Sequence, residues 1–252
     1  RKMIPAAQFC CKRLSRTTAF GNPADCGRQD LVFVGGAADA HKKEPALEVV
    51  CAVVTNVACL VPVRMLWRRR KGADAVCGAA LTATSVLFHA AEALDRRVFG
   101  LTAGNWHRLD NVFLIFSAVG LALAVAGPNA PEDVRWLFVV LALVAQEAHP
   151  WHVGCAVGPV ALADLFAVVW ALLYAPERHR RRLREPPFLR ALALQGLALA
   201  FFFRGLRPDP FRVFHGLWHL SNAASAALLI RALLPLAEDD DDHRGRRGKR
   251  CS

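Results

Sequence analysis

The sequence predicts an all-α fold, a bundle of seven transmembrane helices, and three observations carry that reading. Hydrophobic residues make up 54% of the 252, yet 32 Lys and Arg stand against 21 Asp and Glu, a formal charge of +11. The apolar blocks, among them "LFVVLALVA", "LIFSAVGLALAVAG" and "GPVALADLFAVVWALLYA", have no polar stripe. A helix of a soluble bundle keeps such a stripe toward water, so these blocks face lipid or one another. Clustered arginines separate the blocks, which is how the loops of a multi-pass protein read. The positive balance therefore belongs to cytoplasmic loops and lipid headgroups, and no nucleic-acid partner is expected.

Residues 1–45 are polar and mixed, with Gly, Pro and scattered charge, and no helix or strand pattern is assigned to them. They lack the basic start, apolar core and small-residue cleavage site of a secretory signal. The membrane domain, 46–236, holds seven apolar segments at roughly 46–66, 73–94, 110–127, 134–147, 151–174, 188–204 and 211–236. Most approach the ~20 residues a helical span needs, and the fourth is the shortest. Long Ala/Leu/Val runs without alternation favour helices over strands, and an isolated strand in lipid could not satisfy its own backbone. Residues 237–252 form a charged tail in which the acidic run "EDDDD" precedes a basic one. Cys251 follows "RGRRGKR", a setting that suits acylation, without a prenylation box. No C-x-x-C pair occurs, and Cys51, Cys59 and Cys77 lie inside apolar segments, which argues against a zinc ribbon or a disulfide framework.

Arginine and lysine placement sets the expected orientation. The first loop carries Arg68 to Lys71, the loop after the fifth segment reads "PERHRRRLRE", and the tail ends "HRGRRGKRCS". The loop between segments four and five, "EAHPWH", has none. The positive-inside bias puts the C-terminus in the cytoplasm and the N-terminus outside or in a lumen, in a plasma or endomembrane protein.

Six of the nine histidines then fall on the extracytoplasmic side: His89, His107, His149, His152, His215 and His219. His41, His179 and His243 lie in polar tails or the basic loop. His215 and His219 are four apart, one turn above each other on a single helix face. Ser85 stands one turn before His89, and Asp110 is read as opening the third helix. Taken singly, Ser85 suits a bond to its own helix, Asp110 a helix cap and each histidine an interhelical bond. Together, three imidazoles, one carboxylate and one hydroxyl at one depth favour a functional site, because each left unpaired in lipid costs several kcal/mol.

The order S-x-x-x-H, then Asp, then H-x-x-x-H resembles the CREST superfamily of seven-helix membrane proteins, which includes alkaline ceramidases and adiponectin-type receptors. Finer detail looks like its transmembrane protein 8 and myomaker branch. The stretches that carry the resemblance are "SVLFHAAE", "LDNVFLIFSAVGLALAVAG", "HPWHVGCAVGPVALADLFAVVWAL", "LALAFFFRG" and "FHGLWHLSNAASAALLIRALLP", within about 46–236. The resemblance implies an intramembrane zinc ion (Zn2+) near the extracytoplasmic face, held by His89, His215 and His219. It also implies that Ser85 and Asp110 contact a water on that metal. In the ceramidase branch the acid falls nearer the first histidine, where Glu92 and Asp95 stand here; Asp110 is preferred because it heads a helix in the myomaker order. His107, His149 and His152 match no ligand position and read as loop or headgroup residues.

Three imidazoles on zinc leave one position open, the arrangement of catalytic sites. The first expectation is accordingly a zinc-dependent hydrolase of a lipid amide or ester, with membrane lipids as substrate or bound partner. The alternatives are a non-catalytic, myomaker-like protein of membrane remodelling or fusion with a structural zinc, a receptor, or a transporter using His and Asp as a relay. A retinal protein is excluded, since no Lys falls in the seventh segment.

Overall fold

The computed structural model describes residues 45–148, 153–207, 209 and 212–234. Among them the chain is helical, and the isolated bridge between Val98 and Leu101 is its only β pairing. The helices are α1 (Val49–Arg68), α2 (Gly72–Leu94), α3 (Ala103–Ala126), α4 (Asp133–Ala148), α5 (Val153–Tyr174), α6 (Pro186–Gly205) and α7 (Val213–Leu233). A short helix, Glu177–Arg182, lies within the basic loop before α6.

Five helices are long and apolar enough to cross a membrane: α1, α2, α3, the Val157–Tyr174 part of α5, and α6. This is fewer than the seven expected, for two different reasons. At 16 residues α4 is short for a span. α7 is long enough, but His215, His219, Asn222 and Arg231 dilute its apolar character.

Packing follows the small residues. On α2, Ala75, Gly78, Thr82, Ser85, His89 and Ala93 are buried at spacings of three and four, a single face of the helix. That narrow face lets α3 lie close, and α2 against α3 is one of the most extensive contacts of the fold. The buried face of α3 runs from His107 and Asp110 through Ile115 and Val119 to Ala126, and α5 covers part of it. α7 packs chiefly on α6, where the Ser225 hydroxyl donates to the Ala191 carbonyl at 2.8 Å, and also on α1. Outward-facing Leu and Val on α4 and α5, among them Val144, Leu165 and Leu172, are exposed, as lipid-facing side chains are.

α1 is not regular. It begins with a π-helical turn over Val49–Val53, continues as 3-10 helix over Val54–Cys59, and becomes α-helical only at Leu60. Two polar neighbours, Thr55 and Asn56, explain the break. The Thr55 hydroxyl donates to the Cys51 carbonyl at 2.6 Å and the Asn56 amide to that of Ala52 at 2.6 Å. Such bonds to the carbonyl four residues back compete with the helical ladder. Opposite this turn sits Gly216 of α7, where any Cβ would collide with the Cys51 carbonyl oxygen.

The ends of the bundle differ in charge. Arg69 of the first loop donates to the Leu234 carbonyl at 2.7 Å, and Arg182 of the short helix to that of Leu233 at 3.5 Å. Two basic segments, the first loop and the short helix, thus meet at the end of α7. His179, placed by the sequence in the basic loop, is buried there: its Nε2 lies 2.9 Å from the Val125 carbonyl near the end of α3. Gly127 makes room for that ring, since a Cβ on it would come within 3.0 Å of the imidazole.

Candidate metal centre

At the other end, His89 from α2 and His215 and His219 from α7 come together. One ring nitrogen of each lies within 4.8 Å of the other two. His89 and His219 are buried and His215 nearly so. The Nε2 atoms of His89 and His215 stand 2.9 Å apart. Two imidazole nitrogens that close must share either a proton or a cation.

The neighbours fix which nitrogens carry hydrogen. Thr55 Oγ1 lies 3.2 Å from His219 Nδ1, and the single hydroxyl hydrogen of Thr55 is already given to Cys51. His219 Nδ1 must therefore be the donor, which leaves the lone pair of its ring on Nε2. His89 Nδ1 faces Glu92 Oε2 at 3.5 Å, a group that only accepts, so its lone pair is also on Nε2. Carboxylates and hydroxyls that hold the far nitrogen in this way are the usual outer supports of metal-binding histidines.

The supports are themselves held. Arg212, at the head of α7, forms an ion pair with Glu92. Its backbone is in the left-handed region, φ 57°, a conformation unfavourable for a side-chain-bearing residue. Asp209 accepts from the backbone amides of Val213 at 3.1 Å, Phe214 at 2.9 Å and His215 at 3.3 Å, satisfying the free amides of the first turn of α7. The turn that carries His215 is thereby pinned to the helix that carries His89. Trp218 completes the packing: its ring lies 4.9 Å from His215 and 5.1 Å from Phe202 of α6. The aromatic run "LAFFF" therefore supports the histidines as much as it faces lipid; Phe202 is buried and Phe203 half exposed.

Ser85 and Asp110 are both buried and hydrogen-bonded to each other. Asp110 Oδ1 is buried and has no partner among the described residues. The placement of Asp110 differs from the sequence reading. α3 starts at Ala103 behind the Thr102 cap, whose hydroxyl accepts from the Asn105 amide at 3.3 Å, so Asp110 lies two turns inside the helix. Helix capping is thus removed as its role. The polar turn "AGNWHRL" conceals this start because hydropathy registers only the apolar part of a helix.

The other two carboxylates separate cleanly. Asp95 is exposed at the end of α2 in a left-handed cap, φ 51°, away from the cluster. Glu92 belongs to the site, but at the outer nitrogen of His89 rather than beside Ser85. His107, read as a loop residue, is buried on α3 against Phe88, ring centroids 4.6 Å apart. His149 and His152 lie outside the described residues, as do His41 and His243. Thr55, Asp209 and Arg212 escaped the sequence reading, although Thr55-Asn56 is a polar pair inside an apolar run and "RPDPFR" offers Asp209 ahead of a helix start.

Apolar helices around a buried three-histidine cluster define the class: a multi-pass membrane protein with a candidate metal centre. A family model with the description "Protein of unknown function (DUF3522)" matches residues 44–220, and the chain belongs to that family. The matched stretch runs from the start of α1 through His219, so it contains Ser85, His89, Asp110, His215 and His219. No curated protein matches the chain.

Proposed function

We propose that the protein is a seven-span CREST-type membrane protein that holds zinc on His89, His215 and His219 and hydrolyses the amide or ester bond of a membrane lipid. The observation that carries this reading is the company of the three imidazoles. A structural metal needs no acid beside it, yet here a buried Ser85–Asp110 pair presents a partnerless carboxylate oxygen on the neighbouring helices. The donor set suits zinc: three neutral nitrogens, two with their tautomer fixed by Thr55 and Glu92.

When bound, zinc supplies a Lewis acid that polarises a carbonyl and makes water acidic enough to react near neutral pH. The chain's residues supply the rest. Asp110 takes the proton of the attacking water at Oδ1 and returns it to the leaving amine or alkoxide. Ser85 holds the other carboxylate oxygen in place and so aims Oδ1. Arg212 keeps Glu92 charged and oriented, and Glu92 keeps His89 in the tautomer that offers Nε2. The lipid-facing walls of Leu and Val admit an acyl chain from the bilayer and exclude bulk water.

Metal content and acyl release, measured on detergent-purified protein prepared without chelators, test the reading. Wild type should carry about one zinc per chain. His219→Ala should lose it. Asp110→Ala should keep the zinc but release fatty acid from ceramide or phosphatidylcholine roughly 10²–10³-fold more slowly. Wild type without zinc would overturn the reading. Zinc with no acyl release from any lipid of either class would move the protein to the fusion or scaffold alternative.

A further inference from the structure

The half of the bundle away from the histidines encloses a cavity of about 1410 Å³. This exceeds the ~300–1,000 Å³ of sites for drug-sized ligands. Its inner walls are apolar, with Val63, Leu66, Leu121, Val160 and Leu229 from four different helices. Its deepest lining residues include Cys59, Leu81 and Leu114, each one helical turn from Thr55, Ser85 and Asp110 respectively. The cavity therefore ends just below the polar site without including it.

Its other end is basic. Eight arginines and lysines line the cavity against three carboxylates, Asp74, Glu132 and Asp164. Two of those carboxylates are taken by Arg135, which pairs with both Asp74 and Glu132. Arg69 and Arg182 are spent on backbone carbonyls, and Arg180 on Glu177. Arg70, Lys71, Arg178 and Arg184 meet no carboxylate among the described residues, and all four are exposed at the rim. Asp164, the third carboxylate, sits on α5, away from these four.

A deep apolar chamber rimmed by cations that meet no carboxylate among the described residues has the charge and shape of one ligand class, an amphiphile with an acyl chain and an anionic head. We infer that the cavity is a second lipid site, which takes an anionic phospholipid from the leaflet at the basic end, its phosphate at Arg70, Lys71, Arg178 and Arg184 and a chain in the interior. The polarity is the reverse of a substrate's, whose reacting carbonyl belongs at the histidine end. Basic residues near a membrane surface favour anionic lipids in general, and the chamber adds a place for the chain that a surface patch lacks. The site does not depend on a metal at the histidines.

Native mass spectrometry of the full chain in detergent, titrated with dioleoyl phosphatidic acid or dioleoyl phosphatidylcholine, tests this. The acid should bind at least tenfold more tightly. Arg178→Glu with Arg184→Glu, both exposed and harmless to packing, should remove that preference. Ala226→Trp, which leaves every rim cation and fills the chamber, should remove tight binding as well; Val168→Trp serves if that variant does not fold. Equal affinity for the two lipids would overturn the inference. So would retained binding in the filled variants, which places the lipid on the outer surface, or displacement by millimolar inorganic phosphate, which marks an ion site only.

Discussion

The two ends of the bundle treat their polar groups in opposite ways. At the histidine end several are met by a neighbour: Glu92 by Arg212, His219 by Thr55, Asp110 by Ser85, and the amides of α7 by Asp209. At the basic end four cations stand at the mouth of a large apolar chamber and meet no carboxylate among the described residues. The first arrangement is preorganised, with side chains held before anything binds; the second is open and relies on its occupant for the missing charge. In a low-dielectric interior a satisfied network is rigid and an unsatisfied group is costly. The buried oxygen of Asp110 that lacks a partner among the described residues is one such costly group, whereas cations at a wet rim cost little.

Substitution of two glycines gives the largest contrast. Gly216 faces the Cys51 carbonyl and has no room for a Cβ, whereas Gly196 of α6 has nothing within 4 Å of one. Gly216→Ala should destabilise the protein by about 3 kcal/mol by forcing α7 off α1. Gly196→Ala should shift stability by no more than about 1 kcal/mol, toward greater stability, from helix propensity. Denaturant unfolding of the detergent-solubilised protein reads both. Equal effects would mean that the histidine end is not the tightly fitted one.

Much of this difference is legible in the sequence, and the part that is not has a physical reason. Hydropathy finds the bodies of α2, α5 and α6 within a few residues, because lipid-facing helices are apolar all round. It places the start of α3 seven residues late, since the turns that carry His107 and Asp110 are polar and held by a cap. It also draws α1 as a regular helix. The π and 3-10 turns that bring Thr55 to His219 arise from two side-chain bonds and one glycine on a distant helix, and no window of α1 alone contains that glycine. The three histidines were legible by their placement at one end of the predicted bundle, whereas their roles as ligands came only from the resemblance, because spacing pairs His215 with His219 but says nothing of His89. The chamber at the basic end was not foreseen at all: its wall combines residues from all seven helices.

The next contrast concerns the ion pair between helices. Glu92→Gln removes the carboxylate that holds His89, and Arg212→Gln releases Glu92 from the head of α7. Each should weaken zinc binding about 10–100-fold, the usual loss when an outer support of a ligating histidine is removed. Competition against a chelator of known affinity measures it. The double variant should lose little more than the worse single one, because the two groups act through one bond. Arg178→Gln at the basic end should leave zinc affinity unchanged. Additive losses at Glu92 and Arg212 would separate the pair, and an effect of Arg178 would join the two ends that the fold keeps apart.

Thr55 carries the smallest effect and the sharpest test of the tautomer. Its hydroxyl hydrogen goes to Cys51, so toward His219 it can only accept. Thr55→Val keeps the shape and removes that acceptor, leaving a buried imidazole N–H unpaired, at a cost of about 1–3 kcal/mol. His219 can escape part of this cost by moving its hydrogen to Nε2, the atom the metal needs. Zinc affinity should therefore fall by about tenfold, equivalent to about 1.4 kcal/mol, and Thr55→Ser should restore it. Nitrogen NMR of labelled histidine should show the His219 proton on Nδ1 in wild type and in the serine variant, but on both nitrogens in exchange in the valine variant. Unchanged affinity with an unchanged tautomer would mean that the distortion of α1 serves only to fit Gly216, and the histidine end would lose one of its four supports.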